Sequence, residues 1–127
     1  MPDWKTRLIE TIPEERSEWE SEDSIYLAFS TLYDTLRSAV ARRDKDLIRR
    51  CFEFAEWCYA QEEKDLWNAA GVSFYEHLAD DTSIAQIVHQ YMDRDLFTDV
   101  RGLIEHYSGV EAAGKIANQY VQDEHNE

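Results

Sequence analysis

The chain has 127 residues and a formal charge of −14, with 27 acidic residues against 13 basic ones. One domain's length, 43% apolar content and five phenylalanines, seven tyrosines and four tryptophans exclude an acidic disordered segment and allow a core without disulfides or metal. The charge is uneven: residues 1–24 carry −5, residues 25–64 are neutral and residues 65–127 carry −9. Such a field repels nucleic acid and anionic membrane and attracts basic proteins.

Both prolines lie in the first thirteen residues, and no Asn-Gly or Asp-Gly hairpin signal occurs, so the chain reads as all-α. Asp3 caps a short helix carrying Trp4, Leu8 and Ile9 that ends near Pro13. Pro13 suits the first position of a new turn, and Glu14 and Glu15 suit its positive end. The acidic stretch 14–23 has Trp19 as its only large apolar residue and reads as a surface helix or turn pinned by that ring. Ile25, Ala28, Phe29, Leu32, Leu36, Ala39 and Val40 then recur at helical steps behind Asp23 or Ser24 as cap.

Arg42-Arg43-Asp44 closes that helix and caps the next, which turns Leu47, Ile48, Cys51, Phe52, Ala55, Cys58 and Tyr59 inward. A third helix follows, with Leu66, Ala70, Phe74 and Leu78 on one stripe and Trp67 at its edge. After the break at Asp80-Asp81-Thr82 come a short helix through Ile84, Ile87, Val88 and Tyr91 and a longer one from Leu96 to Tyr107. Ser108-Gly109 ends the latter, and a last helix holds Ala112, Ala113, Ile116, Ala117 and Tyr120, with residues 122–127 expected to fray. The expectation is a single all-α domain, residues 1–127, folded as an antiparallel helical bundle of five to seven helices with the acidic segment 1–23 packed on it. Asp44-Lys45-Asp46-Leu47 and Glu63-Lys64-Asp65-Leu66 each open a helix, a spacing that suggests HEAT-like helix-pair stacking.

Chemistry-bearing patterns are sparse. Cys51 and Cys58 would share one helix face about 10 Å apart along the axis, too far for a disulfide, and read as small core residues. His89 with Asp93, and Glu76 with Asp80, stand four apart, but neither pair has the further ligands a zinc or di-iron site needs. No nucleophile elbow or Cys-His signature occurs, so neither an enzyme nor a cofactor or metal is expected. The start Met1-Pro2-Asp3-Trp4 has no apolar signal core and no run reaches membrane-spanning length, which points to the cytoplasm. Arg42, Arg43, Lys45, Arg49 and Arg50 form the one basic cluster, suited to neutralising acids within the fold or to docking a second copy as a homodimer.

Small residues at Ala69, Ala70, Gly71 and Ser73 suit close approach of a neighbouring helix; Gly71 inside a helix costs up to about 1 kcal/mol against alanine. With Asn68-Ala69, Val72, Phe74, Glu76 and Leu78 between an acidic link and Asp80-Asp81, this stretch resembles the central helix of small, acidic, all-helical bacterial proteins of unknown function, some of them immunity-protein-like. The resemblance covers about residues 25–80 and implies a helical fold without catalytic residues.

The acids Asp80, Asp81, Asp93, Asp95, Asp99 and Glu105 are the candidate partner-binding face, with Tyr91 and Phe97 as aromatic anchors beside them and Trp67 as a further candidate. Nucleases are basic because their substrate is anionic, and an inhibitor gains on-rate from an acidic face. The functional expectation is a non-enzymatic, immunity-type inhibitor that occludes a cognate basic toxin or nuclease. The alternative is a structural or regulatory homo-oligomer; a small-ligand or metal-binding enzyme ranks third.

Overall fold

The computed structural model describes residues 3–125, with the side chains of residues 124 and 125 excluded. Among the described residues the chain forms nine α-helices and no strand. They group into two compact units with the boundary between Phe74 and Tyr75.

The first unit comprises α1 (Trp4–Thr11), a 3-10 turn (Pro13–Glu15), α2 (Arg16–Ser21), α3 (Ile25–Arg42), α4 (Lys45–Tyr59) and α5 (Lys64–Ser73). Helices α1, α3 and α4 each start where a short polar side chain takes up an unsatisfied amide, whereas α5 starts behind Glu63 without a side-chain cap. The Asp3 carboxylate accepts from the amides of Lys5 and Thr6, Ser24 from Leu27, and Asp44 from Leu47. Arg43 ends α3 in the left-handed conformation (φ 59°), and its amide donates to the carbonyls of Ala39 and Val40.

Helices α3, α4 and α5 pack against one another, and α1 lies on α4. Their centre is a cluster of rings: Phe29 stands 5.6 Å from Phe54 and 5.9 Å from Phe74, and Phe52 stands 5.6 Å from Phe74. Phe54 falls off the expected inward stripe of α4 yet is buried, so this helix is covered on a wider face than its periodicity indicates. Trp19 pins α2 as expected: it is fully buried and its indole nitrogen donates to the Ile12 carbonyl at 2.9 Å.

The expected stripe from Leu66 to Leu78 is not one helix. α5 stops at Ser73, Phe74 leaves helical geometry (φ −130°, ψ −68°), and Tyr75–His77 form a 3-10 turn. The break lets two adjacent residues, Phe74 and Tyr75, both be fully buried, which a continuous helix with one apolar stripe does not readily do.

The second unit holds that turn, α6 (Thr82–Ala85), α7 (Val88–Tyr91), α8 (Arg94–Ser108) and α9 (Val110–His125). The helix expected over Ile84–Tyr91 is two separate turns, which, with α2, raises the helix count above seven. α8 packs on the 3-10 turn and on α9, and α7 packs on α9. Gly109 separates α8 from α9 with φ 99°, a conformation that glycine adopts without Cβ strain. α9 runs on through His125 where fraying was expected from residue 122; residues 1, 2, 126 and 127 lie outside the described residues.

The basic cluster is partly consumed inside the fold. Arg50 makes a two-pronged contact with Glu14, both bonds 2.7 Å, and also reaches Asp46 at 2.9 Å and the Thr11 carbonyl at 3.2 Å. Arg49 bridges Asp46 and Glu53, each at 2.5 Å. Arg50 thereby ties the link after α1 to α4. Hydrogen bonding from its guanidinium holds the Glu14 carboxyl down to about 2, against an ordinary 4.5. A carboxyl lowered on folding stabilises the fold above its unfolded value, and that contribution is lost as pH falls toward the folded one. Glu14→Gln is therefore expected to lower stability at neutral pH and to flatten its decline between about pH 4.5 and 2. Urea unfolding of both proteins across that window checks this; parallel curves would contradict it.

Candidate functional site

Most of the acids expected to face a partner are occupied locally. Asp81 caps α6, accepting from the amides of Ser83 at 2.8 Å and Ile84 at 3.3 Å. Asp93 caps α8 through the Leu96 amide at 2.8 Å. One oxygen of Asp80 lies 2.8 Å from His77 Nδ1, and the other accepts from the Ser108 hydroxyl at 3.2 Å. Glu105 pairs with Arg101 at 3.4 Å. Asp95 and Asp99 lie one turn apart on α8, both with exposed side chains.

The aromatic anchors fare differently. Phe97 is buried: it stacks on Tyr120 at 5.0 Å, and the Tyr120 hydroxyl donates to the Met92 carbonyl at 2.8 Å. It is a core residue, because α8 needs its ring against α9. Tyr91 is half-buried, while Trp67 is 40% exposed on α5.

Neither suggested metal pair forms. The Asp93 carboxylate is taken by its cap, and His89 turns instead toward Asp123, with Nε2 3.5 Å from the carboxylate. Asp80 is drawn to His77, whose ring also packs edge-on against Tyr107 at 4.4 Å. Among the described residues no three His, Cys, Asp or Glu side chains gather as a metal site. Cys51 and Cys58 are buried and unlinked, and desolvation pushes both thiols up to about 12, away from reactive thiolate.

A different acidic site emerges in the first unit, where the N-terminal ends of α1, α3 and α5 border one groove of about 480 Å³. Asp3, Asp23, Glu63 and Asp65 line it with the half-buried rings of Trp4 and Tyr26, and no cationic residue lines it. Asp3 is occupied as a cap, but Asp23, Glu63 and Asp65 form no ion pair or side-chain hydrogen bond among the described residues. Tyr26 is held by the Asn68 side-chain amide, which donates to its hydroxyl at 2.9 Å. Lys5 Nζ already lies over the Trp4 ring, 5.6 Å from its centroid, so the carboxylates beside the Tyr26 ring are what would seat an ammonium or guanidinium group. Sequence reasoning passed over these residues because they come from three separated segments; the only local sign was acid at successive helix starts.

A family model described as Domain of unknown function (DUF7674) matches residues 5–108. The chain belongs to this family. The matched span widens the expected resemblance on both sides of residues 25–80, and it is to a family of unknown function, not to an immunity-protein family. It includes Asp23, Tyr26, Glu63 and Asp65 of the groove and the whole of α8, and it stops short of α9. No curated protein and no solved structure matches the chain. No helix among the described residues is long and apolar enough to cross a membrane.

The division between capping and exposed acids is directly measurable. Asp81→Ala and Asp93→Ala are each expected to cost about 1 kcal/mol, the usual loss for an N-cap. Asp95→Ala is expected to stay within about 0.5 kcal/mol of the parent. Urea titrations of the three variants decide it; equal losses at all three positions would contradict the assignment.

Proposed function

We propose that this protein is a non-enzymatic protein-binding protein whose partner is basic, and that the groove bordered by α1, α3 and α5 receives the partner's lysine or arginine side chains. The observation that carries the reading is the set Asp23, Glu63 and Asp65, carboxylates that form no ion pair among the described residues, in one groove beside Tyr26. The net charge of −14 draws a basic protein in, and the groove gives its cationic groups a defined seat. Asp95 and Asp99 on α8 are exposed and add to the long-range attraction.

In its most concrete form the reading is an immunity-type inhibitor. A toxin or nuclease that handles an anionic substrate exposes cationic side chains, and an acidic protein seated on them excludes that substrate by occupancy.

A short oligolysine peptide is the probe for the groove. Asp23→Asn, Glu63→Gln and Asp65→Asn combined are expected to weaken its binding about tenfold or more at low salt and to flatten the salt dependence. Asp95→Asn with Asp99→Asn should change it far less. Equal binding by the groove variant and the parent would refute the site. For the inhibitor form, co-expression with a basic toxin encoded beside this protein should restore growth, and the groove variant should fail to do so.

A further inference from the structure

We propose that the groove bordered by α1, α3 and α5 selects arginine over lysine. Tyr26 is the flat platform for the guanidinium, and Asn68 is the positioning residue that holds that ring. The selection rests on the basic-partner reading above and narrows it. Tyr26 stands in the first turn of α3 and lines the groove, and the Asn68 amide of α5 donates to its hydroxyl. Among the described residues Tyr26 makes no other hydrogen bond and no ring or cation contact, so the ring is anchored at its hydroxyl while its faces have no aromatic or cationic partner. The other ring of the groove is engaged: Lys5 lies over Trp4, and its ammonium donates to the Glu20 carbonyl at 3.3 Å.

The two cations differ in what they take from this arrangement. At equal charge, the long-range pull of Asp23, Glu63 and Asp65 is the same for both. Lysine brings a compact, strongly hydrated ammonium, which gains little by leaving water for an open groove. Arginine brings a planar, weakly hydrated guanidinium that stacks on an aromatic face while its fork of N–H groups meets a carboxylate with two parallel bonds. A ring held in one position favours the planar group most, because stacking requires a fixed plane and the cost of ordering the ring has already been met within the fold. The same bond does a second thing. It joins α3 to α5, the two helices whose N-terminal ends bring Asp23, Glu63 and Asp65 to the groove, and so holds the carboxylates at a set spacing beside the ring.

Oligoarginine and oligolysine peptides of equal length, titrated calorimetrically against the whole chain, test this. Oligoarginine is expected to bind about fivefold more tightly or better, and the ratio should grow with salt, which screens the attraction common to both peptides but not the stacking. Tyr26→Leu should make the two peptides equal. Tyr26→Phe keeps the ring and Asn68→Ala keeps ring and hydroxyl, yet both remove the same bond. Each should therefore lower the ratio by the same part, and the double variant no further; these two variants carry the test if Tyr26→Leu folds poorly. Tyr107→Leu, at an exposed ring of the second unit, should leave the ratio at the parental value. Equal binding of the two peptides by the parent, a preference that survives loss of the Tyr26 ring, or additive effects at Tyr26 and Asn68 would overturn the proposal and leave the basic-partner reading standing. Binding of neither peptide would overturn both.

Discussion

A chain with fourteen more acids than bases has to put its carboxylates where something compensates them, and this constraint shapes the rest of the structure. Two devices meet it. The first is the helix N-terminus, whose unsatisfied amides and positive dipole end accept a carboxylate: Asp3, Asp44, Asp81 and Asp93 each hold such a place. The second is arginine, used sparingly and with more than one partner. Arg50 serves Glu14 and Asp46 together, and Arg49 serves Asp46 and Glu53. Dividing nearly every residue between helices multiplies N-termini, so the architecture itself provides many of the sites at which acid stabilises.

What the two devices leave over is more informative than total charge. The second half of the chain carries the larger net negative charge, yet Asp80, Asp81, Asp93 and Glu105 are engaged within the fold. The first unit gathers Asp23, Glu63 and Asp65 in one groove, where they form no ion pair among the described residues. α9 shows a different condition: Val110 and Val121 are exposed, and between them residues 112–122 hold one charged side chain, Lys115. An uncompensated acidic groove and an uncovered neutral face are two surfaces of different chemistry.

Apolar packing sets where the helices stop. Phe29, Phe52, Phe54 and Phe74 form the core of the first unit, and the chain leaves helical geometry at Phe74, where it and the next residue are both buried. In the second unit, Tyr120 links α9 to Phe97 through its ring and to the Met92 carbonyl through its hydroxyl. One residue thus satisfies a carbonyl at the end of α7 while covering the inner face of α8.

The sequence by itself determined the all-α class, the helix starts at Asp3, at Asp23 or Ser24, at Asp44 and around Asp80–Thr82, and the core stripes of α3, α8 and α9. These are local: a cap reads three residues ahead and a stripe repeats every turn, so both are written in consecutive residues. Only tertiary structure decided that α5 ends before Phe74, that Phe54 is a core residue, and that Asp80 turns to His77 and Ser108. Each depends on what a distant segment brings against the residue, which spacing along the chain does not record. The candidate site divides in the same way. That acid matters was legible from composition, but which acids lack a partner depends on proximity: Asp23, Glu63 and Asp65 become one site because α3 and α5 begin at the same groove.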